Sequence, residues 1–408
     1  MRIESEAARR FLCERLGLAG PHWTDATPLA RLGMVQIDTI RIAGGRNHEL
    51  VLSARADVPT RGFDAQVYGA GGFVEQHYPV HLVRSAWRRR FMEGMAHRVA
   101  RYRIAGMSDA DVAALEETVL DHIRAHGPAK ARDFDSMRVP GGFDTLKATT
   151  IALERLHLAG RLQIAGRSHA FERLFDLTER LHPQESAPIV PGPLDDDAIA
   201  DLARYALEVL RLATPDALVE RVQHHAGPWR GDARKERLRA ATRAALDRIG
   251  AIPVTVVIDG EPVEHLVLAD DLEALRAAAE GDAPASDEPL RIVPPLDNLL
   301  FDRARFARLF GRRFLFEAYK PRHERSFYFA MPLIHRAGFA GIVDLKLVEG
   351  RKLLVDRLEQ VPATEREALR AALHRLARLV GAERVSAHPR IDPQARRMLI
   401  GRVVPPLT

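Results

Sequence analysis

The sequence predicts a mostly helical α+β protein, and three observations support that class. Residues 108–177 contain a helix, a short helix, a longer helix and a two-stranded hairpin, which is the order of a winged helix. Related patterns precede and follow it, in residues 5–52 and 195–268. After residue 294 the pattern changes to short strands and a final helix. We therefore expect three tandem winged-helix units and a C-terminal small β-barrel or curled sheet.

The middle unit has the clearest local signals. Ser108 is a good helix N-cap because Asp111 follows three positions later, and the apolar helical pattern continues to residue 123. Residues 145–158 read as the longer helix. Strands at 161–165 and 171–177 then form the predicted hairpin.

The third unit and the linkers set the predicted domain boundaries. Its helices are expected at 195–210, 214–221 and 231–249, and Asp259-Gly260 is a strong type I′ hairpin signal between two strands. Pro-rich and acidic stretches at 183–193 and 281–289 read as linkers. The predicted domains are 1–106, 107–183, 194–280 and 290–408, the last with strands at 327–331, 341–347 and 352–354 and a helix at 363–380.

Composition excludes several classes of protein. The chain has 408 residues with 46% hydrophobic content, and no apolar run approaches the 18 residues of a membrane span. Its charged N-terminus does not resemble a signal peptide, and its single cysteine, Cys13, fits a reducing cytoplasm. Nucleotide-binding loops, nucleophile elbows and metal-ligand spacings are absent, so we expect no cofactor and no metal.

Charge is segregated along the chain. Residues 82–106 contain seven arginines and one acid, and residues 303–325 contain eight basic residues and two acids. Residues 254–290 contain ten acids and one arginine. This pattern suggests a basic surface for a polyanion. The alternative is a general arginine bias, since 54 of the 60 basic residues are arginine, but that explains the total better than the clustering.

The most informative stretch is the apolar run 32–40, which carries Gln36 and Asp38 two positions apart. If the run is extended, both side chains point to the same face. An amide and a carboxylate in apolar surroundings cost free energy unless they have partners or a task. They belong either to an active site or to a strand end where polar side chains meet solvent or cap the next turn.

Motifs along nearly the whole chain resemble those of the AlkZ/YcaQ-like DNA glycosylases. The run around Gln36-Ile37-Asp38 matches the family motif of a glutamine, an apolar residue and a glutamine or aspartate. Further matches are GP at 127–128, FDLTER at 175–180, PLDN at 295–298, LFG at 309–311, EAYKP at 317–321, MPL at 331–333 and GIVDLK at 341–346. The chain departs from the family pattern at 46–49, 75–79 and 141–144.

The resemblance implies a C-shaped protein of three winged helices and a β-barrel that accepts double-stranded DNA. The aspartate at position 38 is similar to the YcaQ-like branch, which implies excision of N7-alkylated purines and unhooking of interstrand crosslinks. We expect a monofunctional hydrolase acting as a monomer in the cytoplasm and on the nucleoid. No lysine lies in the motif region to form a Schiff base.

The chemistry assigns roles to the two motif residues. An N7-alkylguanine is already cationic, so it leaves without protonation, and the sugar develops oxocarbenium character. Asp38 would stabilise that charge and polarise the attacking water, while Gln36 would orient the water and the sugar. Arg46 or other donors would offset the desolvation of Asp38.

DNA contacts are expected mainly from basic side chains, so affinity should fall steeply with salt. His48 is either a DNA contact or a core histidine, and Arg167 and His169 either contact DNA or form a solvated turn. The predicted DNA-binding residues are Arg46, His48, Arg167, His169, Arg303, Lys320, Arg325 and Lys346.

The rival hypothesis is a non-catalytic winged-helix protein, such as a transcriptional regulator. A regulator ordinarily needs a dimer interface or an effector pocket, and the sequence indicates neither. Assaying an alkylated oligonucleotide for base release separates the two hypotheses.

Overall fold

The computed structural model describes residues 1–23, 28–57, 68, 72–76, 81–96, 98–140, 145–185, 187, 189, 192–226, 232–281 and 288–403. The chain forms two compact units, each assembled from separate stretches of sequence. The first unit comprises Met1–Phe63, Arg204–Leu218 and Leu246–Thr408. The second comprises Asp64–Ala203 and Val219–Ala245.

Helices and strands alternate along the chain. The helices are α1 (Ser5–Arg15), α2 (Pro28–Leu32), α3 (Asn47–Ser53), α4 (Arg88–Ala96), α5 (Asp109–His126), α6 (Ala148–Leu158), α7 (Thr178–Leu181), α8 (Asp196–Leu210), α9 (Pro215–Ala226), α10 (Asp232–Ala244), α11 (Leu272–Glu280), α12 (Arg303–Phe310), α13 (Arg366–Leu379) and α14 (Pro393–Leu399). The strands are β1 (Arg2–Glu4), β2 (Met34–Gln36), β3 (Phe73–Gln76), β4 (His81–Arg84), β5 (Arg138–Pro140), β6 (Thr145–Lys147), β7 (Leu162–Arg167), β8 (Arg173–Leu177), β9 (Ala251–Ile258), β10 (Glu261–Leu268), β11 (Arg291–Ile292), β12 (Met331–His335), β13 (Gly338–Val348), β14 (Lys352–Glu359), β15 (Arg384–Ala387) and β16 (Gly401–Arg402). The predicted α+β class is confirmed.

A six-stranded sheet dominates the first unit, with strand order β11-β12-β13-β14-β15-β16. Neighbouring strands are antiparallel except β14 and β15, which are parallel and are connected through α13. Register shifts interrupt β12–β13 and β13–β14, and such bulges bend a sheet. Of the two predicted forms, a small barrel or a curled sheet, the described residues form the curled sheet.

The core of this sheet is apolar and well buried. Val343, Leu345, Leu353 and Val355 project from the central strands and have no exposed surface. Leu369 and Leu373 of α13 pack into the same cluster, four residues apart and therefore on one helix face. Full burial of each such side chain contributes about 1.5–3 kcal/mol to stability.

The predicted hairpin around Asp259-Gly260 is confirmed. β9 and β10 pair antiparallel, and β1 adds to β9 in parallel. Asp259 and Gly260 both have positive φ angles, 51° and 84°, as a type I′ turn requires.

In the second unit, α5 begins as predicted. The Ser108 Oγ accepts a hydrogen bond from the Asp111 amide at 3.2 Å, and an Asp111 carboxylate oxygen accepts one from the Ser108 amide at 3.1 Å. This reciprocal pair is a capping box. A short 3₁₀ turn, α6 and the β7–β8 hairpin follow in the predicted order.

Several predicted boundaries are wrong. The helix predicted over 214–221 continues to Ala226, the helix predicted over 231–249 ends at Ala244, the strand predicted over 352–354 continues to Glu359, and the helix predicted as the final one is followed by α14.

Two further errors have a physical cause in the structure. The helix predicted over 145–158 begins only at residue 148, because residues 145–147 pair with Arg138–Pro140 as β6 and the Arg138 guanidinium binds Thr145. The strand predicted over 327–331 begins at Met331, because the amides of Tyr328 and Phe329 donate to the Asp344 carboxylate instead of a neighbouring strand. Within the described residues, no helix combines the length and apolar composition needed to cross a bilayer.

Candidate active site

The segment with Gln36 and Asp38 starts as a short strand and continues as an extended loop. Gly33 has a φ of 73°, which ends α2 in the left-handed conformation and lets the chain turn into β2. Val35 and Ile37 are buried, whereas Gln36 and Asp38 are half-buried. The segment therefore presents its two polar side chains at the surface and its apolar ones to the interior.

Two neutral donors hold the Asp38 carboxylate. Its Oδ1 accepts the Ile40 amide at 2.7 Å, a local turn that aspartate favours. Its Oδ2 accepts the Tyr319 hydroxyl at 3.3 Å. Neither partner carries a charge, so the carboxylate is oriented without being neutralised.

The backbone beneath the two side chains is held by buried asparagines. Asn47, the first residue of α3, donates to the Gln36 carbonyl at 2.9 Å and accepts the Leu296 amide at 3.1 Å. Asn298 donates to the Met34 carbonyl at 3.0 Å. Both asparagines have no exposed surface. Two distant parts of the sequence, 46–49 and 295–298, thus anchor this strand.

A buried ion pair supports the same anchor. The Arg55 guanidinium binds both carboxylate oxygens of Asp297, at 2.7 and 2.9 Å, and neither side chain is exposed. Removing one member of such a pair would leave an uncompensated buried charge. The pair thereby fixes the segment that carries Asn298, the residue that holds β2.

Arg46 and His48 lie at the start of α3. The Arg46 amide donates to Glu49 at 2.6 Å, and its guanidinium pairs with the same carboxylate at 3.4 Å. His48 is 1% exposed, which favours the core alternative over a DNA contact in this conformation. Glu49, where the family pattern has another residue, therefore caps α3.

Lys320 and Arg325 lie on a surface loop, residues 317–326, which we call the EAYKP loop after its first five residues. The Glu317 carboxylate accepts hydrogen bonds from Lys320 Nζ at 2.6 Å, the Ser326 amide at 2.7 Å and the Phe327 amide at 3.3 Å. Burial alone would raise the pKa of Glu317, but these hydrogen bonds outweigh it and lower the pKa. The loop is therefore closed on itself by an ionised carboxylate.

Tyr319 joins the EAYKP loop to the motif segment. Its hydroxyl donates to Asp38, and its ring meets the Phe316 ring edge-to-face with centroids 5.7 Å apart. Although the residue is largely exposed, desolvation raises the pKa of Tyr319, and the nearby Asp38 charge raises it further, so the phenol stays protonated. The prediction from sequence missed this residue, although it lies inside the quoted EAYKP motif.

The remaining predicted residues lie elsewhere. Arg303 is exposed at the start of α12. Lys346 on β13 pairs with Asp356 at 2.8 Å. In the second unit, Arg167 is bound to Glu75 and stacks over the Phe171 ring, and His169 is exposed in the β7–β8 turn.

Of the stretches that depart from the family pattern, 75–79 lies partly, at positions 77–79, and 141–144 wholly outside the described residues. Within the described part of the chain, no group of three or more histidine, cysteine, aspartate or glutamate side chains is arranged to hold a metal ion.

Comparison with known proteins identifies a matching family and a similar solved structure. A family model described as DNA glycosylase AlkZ-like matches residues 29–379, a range that includes every predicted site residue. The solved structure of Streptomyces sahachiroi DNA glycosylase AlkZ is similar, with a TM-score of 0.60 and 16% sequence identity. The match covers 95% of this chain and 100% of that one. At this sequence identity, the structural likeness supports a shared fold and nothing further.

Proposed function

This chain belongs to the AlkZ-like family of DNA glycosylases, and we propose that it hydrolyses the N-glycosidic bond of N7-alkylated purines, including those in interstrand crosslinks. The observation that carries the proposal is the half-buried Asp38 carboxylate, which two neutral donors hold two positions after Gln36, itself half-buried. A carboxylate in that state retains its charge for a cationic transition state.

In the proposed reaction, the bond between C1′ and N9 of the purine breaks first. Its electron pair neutralises the cationic ring, and positive charge develops on the sugar. Asp38 stabilises this charge, and a preorganised charge of this kind is worth several kcal/mol. Water then adds to C1′ and gives a proton to Asp38 or to solvent. Gln36 orients the water, and the products are a free purine and an abasic site.

Phosphate contacts would supply most of the affinity for double-stranded DNA. Arg303, Lys320, Arg325 and Lys346 are the proposed contacts in the first unit, with Arg46 beside Asn47, which bonds to the motif segment. His48 is buried and would have to leave the core to reach a phosphate. Arg167 and His169 are proposed from the second unit, although Arg167 would have to leave Glu75 to reach a phosphate. The logarithm of an affinity dominated by phosphate contacts decreases linearly with the logarithm of salt concentration.

A tandem winged-helix organisation is part of the proposal. The order α5, 3₁₀ turn, α6 and β7–β8 hairpin supports a winged-helix unit at 107–183. Helices α8, α9 and α10 followed by β9–β10 support another at 194–280. The unit at 1–106 and the C-terminal domain at 290–408 complete the proposed division of the chain.

The decisive test is base release from a duplex containing one 7-methylguanine, followed by alkaline cleavage of the abasic site. We expect Asp38→Asn to reduce the single-turnover rate about 100- to 1000-fold. Gln36→Ala removes one hydrogen-bonding group and should cost about 10-fold. A duplex with a nitrogen-mustard crosslink tests unhooking in the same way.

Asp259→Asn is the matched control, because it makes the same chemical change at the exposed β9–β10 turn. It should leave the rate unchanged. If the wild type releases no base from either duplex, N7-alkylated purines are not the substrate. If Asp38→Asn retains the wild-type rate, the assignment of Asp38 is wrong.

A further inference from the structure

Tyr319 is the most exposed large hydrophobic side chain among the described residues. Its side chain is 78% exposed, compared with 59% for Met137, the next in order. A single exposed apolar residue is ordinary on a protein surface. This one differs because its hydroxyl is bonded to the Asp38 carboxylate at 3.3 Å. An aromatic ring is therefore presented to solvent beside the group assigned to the chemistry.

The ring is held in position from both ends. The Phe316 ring contacts it edge-to-face at 5.7 Å, and Asp38 accepts its hydroxyl proton. Its neighbour Lys320 is anchored by Glu317, which also accepts the Ser326 amide at the far end of the EAYKP loop. A prepositioned ring loses little conformational freedom when a ligand covers it.

The surroundings indicate which ligand fits. A tyrosine face attracts cations, and a carboxylate at its hydroxyl end adds negative potential. Lys320, Arg322 and Arg325 on the same loop supply positive charge suited to a nearby phosphate backbone. The complementary ligand is a flat, positively charged ring attached to DNA, and an N7-alkylated purine has that chemistry.

We propose that the Tyr319 ring contacts the damaged purine and selects for its positive charge. This inference rests on the proposed function and adds the residue that recognises the lesion. Stacking on the aromatic face and attraction to the cation both favour an alkylated purine over an ordinary guanine.

The hydroxyl is a less important part of Tyr319 than the ring. The Ile40 amide already fixes the Asp38 carboxylate with a hydrogen bond of 2.7 Å, shorter than the 3.3 Å bond from Tyr319. Removing the hydroxyl should therefore leave the carboxylate oriented. Removing the ring should abolish the preference for the lesion.

The test compares Tyr319→Phe with Tyr319→Leu. Affinity is measured for a duplex containing 2′-fluorinated 7-methylguanosine, whose fluorine blocks cleavage, and for the same duplex with guanine. We expect Tyr319→Leu to reduce the ratio of the two affinities about 10- to 100-fold. Tyr319→Phe should stay within about 3-fold of the wild type, since it keeps the aromatic face.

Ile400→Ala is the control for loss of an exposed apolar side chain in the same unit, and it should not change the ratio. The inference is overturned if Tyr319→Leu keeps the wild-type ratio. It is also overturned if Tyr319→Phe loses as much as Tyr319→Leu, because the hydroxyl would then be the active group, or if the wild type has no preference for the lesion.

The proposed function is tested by a different measurement, so either proposal can fail without the other. Release of 7-methylguanine from a cleavable duplex tests the reaction, whereas the affinity ratio uses a duplex that cannot be cleaved. A wild type that prefers the lesion through Tyr319 but releases no base would keep this inference and refute the proposed reaction.

Discussion

Asp38 in the first unit lies in the motif that matches the family pattern, and Glu75 in the second unit opens a stretch that departs from it; the two carboxylates have opposite surroundings. Asp38 is half-buried and bound by a backbone amide and a phenol. Glu75 has no exposed surface and is bound by Arg167, at 2.9 Å to Nε and through a second hydrogen bond, and by the Tyr68 hydroxyl at 2.7 Å.

The difference separates a carboxylate kept for structure from one available for chemistry. Glu75 is neutralised by a guanidinium that is itself only 7% exposed, so its charge is balanced inside the unit. Burial, with Glu75 next, raises the pKa of Tyr68 well above its ordinary value, so that phenol remains a donor. Asp38 has only neutral partners among the described residues, and its charge remains available to an external cation.

The largest predicted effect in this comparison is a loss of stability when Arg167 is removed. Arg167→Ala leaves the Glu75 charge buried without its guanidinium, and we expect a loss of about 3–5 kcal/mol in the free energy of unfolding. Denaturation in urea measures it. Arg161→Ala is the matched control, since Arg161 forms an exposed pair with Glu117 at 3.6 Å and should cost less than about 1 kcal/mol. Equal losses in the two variants would show that the Glu75–Arg167 pair stabilises the protein no more than an exposed ion pair does.

Glu317 shares features with both carboxylates, because it is buried like Glu75 but is bound by one charged and two neutral donors. The pH dependence of protein stability tests how strongly these donors hold it. Its pKa in the folded protein lies below the ordinary 4.5, so its stabilising effect is complete above that pH and is lost as the pH falls through the folded value. We expect Glu317→Gln to lose stability less steeply than the wild type between about pH 5 and pH 3. Melting temperatures across that range test this.

Glu349→Gln, at the exposed β13–β14 turn, is the control for the Glu317 prediction. Its melting temperature should follow the wild-type pH curve. If Glu317→Gln also follows the wild-type curve, the hydrogen bonds to Glu317 do not hold the EAYKP loop closed.

The smallest predicted effect tests whether the basic side chains near Asp38 contact DNA. Lys320→Ala should reduce the slope of log affinity against log salt concentration by about 1, the value for one phosphate contact. Binding to an undamaged duplex at several salt concentrations gives the slope. Lys352→Ala, on β14 and outside the predicted contacts, should leave it unchanged. An unchanged slope for Lys320→Ala would remove that residue from the DNA-binding set.

Local patterns predicted much of the fold correctly. The capping box at Ser108, the turn at Asp259-Gly260 and helix α13 each depend on residues close in sequence, so neighbouring side chains decide them. The boundaries at 145 and 327 failed for the opposite reason. Arg138, seven positions before Thr145, and Asp344, 16 positions after Tyr328, compete for the backbone at those boundaries, and the local pattern at each boundary does not include them.

The candidate site likewise combines features that the local sequence predicted with features that depend on residues far apart in the chain. Gln36 and Asp38 were identified from an alternation of polar and apolar residues and from a family motif. Tyr319 is 281 positions from Asp38 along the chain, and no local spacing could pair them. Asn298 supports the backbone of β2 from a similar distance, and the sequence suggested only that its motif matters.

By itself, the sequence determined the α+β class, most helices, one hairpin turn and the two polar residues of the motif, because these depend on short-range periodicity and on residue chemistry. Only the tertiary structure decided that Asp38 has neutral partners, that Arg167 is committed to Glu75, and that an exposed tyrosine lies beside the candidate carboxylate. The physical reason is that the electrostatic state of a side chain depends on which groups surround it after folding, and those groups come from remote parts of the chain.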